Sequence, residues 1–317
     1  MLKHIILFLI STLVISCQQE TPDEIIQIAT LKGPSAMGMI KMIDSLSQCK
    51  NADINITIYN EPIQVRKLML NKEVSLAILP TTMGAILYNK GVSYQLAAIP
   101  VWGTLYLFGT DTSITQWNDL KGKRIYLMAK GMTPDVLFRH LLIQNGIDPE
   151  KDVMLDYSFP THIDLANAVA AGQAPLGVIS EPMVSMVMQK NKTVKSLFDL
   201  NSEWDIKHPE IPIAQTALLV NSNFAKENPE KLNAIIKSYR ISSDWVNANT
   251  EQAAQLIAKY GILPDSLTAL LAIPRSNMKL IEGKCIKNQI DNYLKIFYDL
   301  NPDIIGGKIP DDNFYLK

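Results

Sequence analysis

Strands and helices alternate twice along this chain, and that alternation limits its fold more than any other feature. Short apolar runs at 25–30, 54–59, 74–79 and 94–99 read as strands. Between the first two, Met39, Ile40, Ile43 and Leu46 recur at helical spacing. Pro62 stands where the next helix opens, a position at which its fixed φ and missing donor cost nothing. After a further strand-like run at 105–108 the order restarts, with strands expected up to Ala129, at 153–159, 176–180 and 194–200. Helices open near Thr133-Pro134, at Thr161 with Asp164 three residues on, and at Pro182. A last strand at 213–220 leads into helices at 229–247, 250–260, 265–272 and 284–300. The βαβαβ order implies an α/β fold with parallel sheets covered by helices on both faces. About 300 residues exceed the size at which one core keeps growing, so two lobes are expected. Lobe one takes 25–108 plus 213–317 and lobe two takes 109–212, with crossings near 108–111 and 210–214 and a hinged cleft between them.

The first 24 residues stand apart from this pattern. Lys3 and His4 precede an apolar run at 5–15, broken by Ser11 and Thr12. The run is well short of the roughly 20 residues a membrane-spanning helix needs. It ends in Val14-Ile15-Ser16-Cys17, which resembles a bacterial lipobox. That resemblance implies a signal peptide at 1–16, cleavage before Cys17 and lipid on its thiol, with 17–24 as a tether. Two acyl chains hold a protein to a bilayer stably where one does so only marginally. A plain secretory signal and a buried N-terminal strand are the other readings of the run. The expected location is the cell envelope, anchored outside the cytoplasmic membrane.

The chain carries 30 basic and 31 acidic residues. It has no basic stripe, which argues against nucleic acid as a partner. For Cys49 and Cys285 the sequence leaves open a disulfide or two separate buried thiols.

In open α/β sheets ligands gather at the carboxyl ends of strands. That rule nominates Gly33, Pro34 and Ser35, then Thr81 and Thr82, then Trp102, Gly103 and Thr104 from lobe one. Lobe two offers Gly131, Met132 and Thr133, then Phe159 and Thr161, then Glu181, and Thr216 stands at the return crossing. Glycines let a ligand approach the backbone, hydroxyls both donate and accept, and helix N-termini favour negative charge. Trp102 offers a ring for stacking. Glu181 either receives an amine or forms a structural ion pair. His162 is expected at the surface, and Met183, Met186 and Met188 in the core. His140 and His208 have no companion at metal-ligand spacing, and no HExxH, CxxC, GxSxG, P-loop or GxGxxG is present. No metal, cofactor or catalytic residue is therefore expected.

Several stretches carry a family resemblance. They are Gly33-Pro34-Ser35-Ala36-Met37-Gly38, LKGKRI at 120–125, LLIQNGIDPEKDV at 141–153 and AAGQAPLGVISEP at 170–182, with FAKENPE at 224–230 and GGKIPDDNFY at 306–315. With these the chain resembles the nitrate/sulfonate/taurine and thiamine-pyrimidine-precursor group of ABC-importer solute-binding proteins. It departs from the group where an acidic residue commonly follows the glycine at 172. The resemblance implies a type II periplasmic-binding fold and a monomer that closes on a small polar or anionic solute. It further implies delivery to permease and ATPase subunits. Same-fold enzymes of cofactor or menaquinone-precursor synthesis and a ligand-sensing lipoprotein are the rival readings; the cysteine-rich iron-binding stretch of the pyrimidine-synthase type is missing.

Overall fold

In the computed structural model, which describes residues 25–50, 52–128 and 130–317, the chain passes from one sheet to a second and back. The expected signal at 1–16, Cys17 and the tether at 17–24 lie outside the described residues. The first pass gives β1 (Ile26–Leu31), α1 (Pro34–Gly38), α2 (Ile40–Ser47), β2 (Ile54–Tyr59), α3 (Pro62–Leu70), β3 (Leu76–Pro80), α4 (Thr81–Asn89) and β4 (Tyr94–Trp102). Lobe two follows as β5 (Leu105–Gly109), β6 (Arg124–Leu127), α5 (Thr133–Gln144), β7 (Met154–Asp156), α6 (His162–Ala170), β8 (Leu176–Ser180), α7 (Met183–Lys190), β9 (Lys195–Asp199) and α8 (Leu200–Lys207). The return contributes β10 (Ala214–Asn221), α9 (Ser222–Glu227), α10 (Pro229–Ala248), α11 (Thr250–Lys259), α12 (Ser266–Ala272), β11 (Met278–Glu282) and α13 (Lys287–Leu300).

The six-stranded sheet runs β11-β4-β10-β3-β1-β2 and the five-stranded sheet β7-β6-β8-β5-β9. Neither is wholly parallel, which corrects the sequence expectation. β1 pairs in parallel with β2 and β3, while β10 is antiparallel to both β3 and β4, and β11 to β4. Likewise β6 is parallel to β7 and β8, while β5 is antiparallel to β8 and β9. For β5 and β10 the cause is the crossover. β1, β3, β4 and β8 end at the space between the lobes, where Leu31, Pro80, Val101 and Ser180 lie. β5 and β10 each arrive from the other lobe, so they start at that space and run away from it.

Other expectations also shift. β5 belongs to the second sheet, so the first crossing is at 103–104 and not 108–111. Its residues are buried throughout, and an apolar strand reads alike in either sheet. β4 continues through Pro100 to Trp102, past the expected strand end at Ile99. β11 and α8 were not foreseen; α8 is capped by Asp199, whose Oδ1 accepts the N–H groups of Asn201 and Ser202.

Packing follows the burial patterns. Ile28, Ile78 and Leu218 on one face of the larger sheet meet Met39, between α1 and α2, and Leu232, Ile235 and Tyr239 of α10. On the other side, α13 turns in Ile290, Tyr293, Leu294 and Phe297, spaced as one stripe of a helix. Each such large side chain contributes about 1.5–3 kcal/mol by leaving water. Cys49 and Cys285 are both free and exposed, which corrects both readings of the pair. Cys49 follows α2, whose chain leads into β2 at one sheet edge, while Cys285 follows β11 at the opposite edge. Among the described residues no helix is long and apolar enough to cross a membrane.

Candidate functional site

A cavity of about 620 Å³ lies between the lobes. Of the nominated residues, Pro34, Ser35, Thr104, Glu181 and Thr216 line it. Lobe one brings its strand ends and turns to the wall, including Leu31, Gln215 and the turn at 261–264. Lobe two instead presents helix faces, with His162, Ile163 and Ala166 on α6 and Met183, Met186 and Val187 on α7.

Ser35 Oγ lies 3.3 Å from Thr216 Oγ1, and the Ser35 carbonyl accepts the Tyr239 hydroxyl at 2.9 Å. Two further polar atoms on residues of the wall, Ser180 Oγ and Gln215 Oε1, are buried without a hydrogen-bond partner in the protein. They come from different lobes.

Glu181 borders the cavity, yet its carboxylate is not free to take an amine. Oε1 accepts Arg275 Nε at 2.5 Å and Oε2 accepts the backbone N–H of Ser185 at 3.2 Å. Of its two open readings the ion pair holds, because Arg275 crosses from lobe one, lies 4.1 Å above the Tyr106 ring and receives the Tyr106 hydroxyl on its carbonyl. Burial pushes the Glu181 carboxyl above the ordinary glutamate range, and the guanidinium pulls against that shift.

The remaining nominees do not line the cavity. Gly33 has φ +119°, and a Cβ there would come within 3.3 Å of Pro182 Cδ, so only glycine fits this approach of the lobes. Thr82 and Thr133 join across the lobes, their hydroxyl oxygens 2.9 Å apart. Thr81 is buried but does not line the cavity. Trp102 faces a different groove and donates Nε1–H to the Lys279 carbonyl at 2.7 Å. At Gly103 a Cβ would collide with Asn201 Oδ1, so this glycine tightens the first crossing. The Gly131 N–H donates to Asp135 Oδ2 at 2.7 Å, and Met132 is exposed. Phe159 packs on Tyr126, and exposed Thr161 caps α6 by accepting the Asp164 N–H. β7 is an edge strand, so its loop falls outside the cavity and the first turn of α6 reaches it instead.

Sequence reasoning nominated Thr161 at that turn but put His162 at the surface, and it missed the α7 stripe. His162 is half-buried on the cavity wall, not at the surface, and burial lowers its pKa. Met183 and Met186 also line the cavity, whereas Met188 packs in lobe two. The available signal was position: a helix opened directly by Ser180-Glu181-Pro182 must begin at the cleft. His140 and His208 do have a companion, each other, with Nε2 atoms 2.8 Å apart. Burial, then the neighbouring His208, hold His140 down to about 4. Among the described residues no group of three or more His, Cys, Asp or Glu could hold a metal ion.

Residues 50–253 match the family described as NMT1/THI5 like, over more than half of the chain. The chain belongs to the NMT1/THI5-like family. A solved ABC transporter from Parabacteroides distasonis is 25% identical, with a TM-score of 0.80 over 93% of this chain and 99% of that one. The periplasmic aliphatic sulphonate binding protein SsuA from Escherichia coli shares the fold at a TM-score of 0.72 and 16% identity, over 93% and 94% of the two chains. The periplasmic nitrate-binding protein NrtA from Synechocystis PCC 6803 does so at 0.60 and 13%, over 88% and 83%. A Bacillus subtilis (strain 168) protein named "Putative binding protein YtlA" is 24% identical over 144 residues, which are 45% of this chain and 41% of that protein. The match thus spans less than half of that relative's length.

Proposed function

We propose that this NMT1/THI5-like protein is the binding component of an ABC importer and captures a small solute in the cavity between its lobes. The observation that carries this reading is the pair of buried, unpartnered atoms on the cavity residues Ser180 and Gln215, one from each lobe. An unmet buried polar group costs about 1–3 kcal/mol. A solute that bonds both atoms removes that cost and bridges the lobes, so it favours the closed arrangement over an open one. The structural relatives support the reading, since SsuA is a sulphonate-binding and NrtA a nitrate-binding protein by name. The closed protein then delivers its solute to a membrane permease driven by ATPase subunits, acting as a monomer. A lipid on Cys17 confines it to the membrane surface outside the cytoplasm, within reach of that permease.

Thermal denaturation with the dialysable fraction of yeast extract and bacterial lysate tests the reading. A solute at a hundredfold excess over its dissociation constant adds about 2.7 kcal/mol of stability. The wild-type melting temperature should rise, and the rise should shrink in Ser180→Ala. An unchanged melting temperature with every fraction argues against a binding protein. Cys17→Ser should leave the membrane fraction, and a variant that stays there removes the anchor.

A further inference from the structure

Glu181 occupies the place in the cleft where an anion would be held. It follows β8 directly and precedes α7 by one residue, with its side chain fully buried. Its Oε2 accepts the N–H of Ser185 in the first turn of α7, and its Oε1 accepts Arg275 Nε. An open helix N-terminus and an unpaired guanidinium are among the strongest attractions a protein offers an oxyanion. Here one internal carboxylate engages both, the guanidinium through its Nε; Arg275 Nη2 is buried without a partner, but Arg275 does not line the cavity.

The rest of the wall is uncharged or exposed. Its buried polar residues Ser35, Thr104, Ser180 and Thr216 carry hydroxyls, and Gln215 adds an amide. Lys32, Lys190 and Glu61 also border the cavity, but all three are exposed at its mouth. His162 is the other titratable group on the wall, and burial disfavours its charged form. Ile163, Met183, Met186, Val187 and Leu263 make much of the wall apolar. Ser180 is more than nine-tenths buried, and its Oγ has no partner; Gln215 Oε1 requires a donor.

We infer that the solute of this cavity is uncharged, with an apolar body and at least one N–H or O–H group, because Glu181 itself holds the anion's place. The inference rests on the solute-binding reading and narrows its ligand to one class. It also gives Glu181 a specificity role: its charge excludes the anions that the neighbouring guanidinium and helix would otherwise attract.

The test splits the same dialysable extract on coupled strong anion- and cation-exchange resins. The flow-through should raise the wild-type melting temperature by about 5 °C at hundredfold excess of the active solute. The desalted eluate should leave it unchanged. Any rise with the eluate overturns the uncharged class while leaving the binding-protein reading intact. Silence with both fractions overturns the binding-protein reading, and this inference with it. In a second arm sodium butanesulfonate is the probe. It should not shift the wild type but should stabilise Glu181→Ala, in which Arg275 and the α7 terminus are released. Glu181→Gln, closer in shape, carries the same expectation if the alanine variant does not fold. A folded variant that stays silent to butanesulfonate overturns the exclusion role of Glu181.

Discussion

The two walls of the cavity are built by different rules. Lobe one meets it with strand ends, turns and the start of α1, so its contribution is largely hydroxyls and an amide, from Ser35, Gln215 and Thr216. Lobe two meets it with the flanks of α6 and α7, so its contribution is largely apolar, with Ser180 and Glu181 where β8 ends. A turn exposes groups in fixed directions and suits recognition. A helix flank offers a stripe of carbon and suits exclusion of water. The contrast teaches that a strand-end rule finds the recognising wall of such a cleft and overlooks the covering wall.

The largest test of this contrast is the tie between the walls. Arg275→Ala leaves Glu181 buried without its partner and should lower stability by about 3 kcal/mol in urea titration. A loss below about 1 kcal/mol would mean the lobes are joined by their other contacts. Acid should come next, and it should act on lobe two, which holds every histidine among the described residues. The folded-state pKa of His140 is lowered from 6.5 to about 4, so the neutral form is the one the fold favours. The unfolded chain binds the proton first, and stability present above about pH 6.5 is lost as pH falls toward 4. We expect a loss on the order of 2 kcal/mol, flattened in His140→Gln. An undiminished pH slope in that variant would place the sensitivity elsewhere.

The walls themselves are separated by a pair of variants. Gln215→Leu removes one hydrogen bond from the recognising wall and should weaken solute binding about tenfold, unevenly across related solutes. Met186→Ala removes apolar area from the covering wall and should weaken all of them about fivefold alike. Calorimetry across one solute series reads both, and identical profiles would erase the distinction. The smallest effect belongs to Thr82→Val, which deprives Thr133 of its cross-lobe hydroxyl partner. It should cost about 1 kcal/mol or less, and no measurable change would show that this contact is incidental.

Much of the fold was legible because periodicity reports burial. β1, β3, β8 and β10 sit within a residue or two of the apolar runs that announced them, and Pro229 opens α10 as proline at a helix start should. β5 was legible as a strand but not as a member of its sheet, since burial on both faces looks the same in either lobe. β11 escaped notice because only Met278 and Leu280 of its five residues are buried. The site was legible in part for a similar reason. Ser35, Thr104 and Thr216 carry turn and crossing chemistry that the strand-end rule detects. Met183 and Met186 recur at helical spacing, and such a stripe reads as core whether it faces protein or an enclosed cavity.

The sequence alone determined that two α/β units with a helical return form this protein, because hydrophobic spacing dictates which elements can bury a face. It also placed Glu181 at the end of a strand bordering the cleft. Only the tertiary structure decided what that carboxylate does, by carrying Arg275 some ninety residues along the chain to its side in the opposite lobe. A charge in an enclosed site is defined by its partner, and no local pattern records a partner supplied by a crossover.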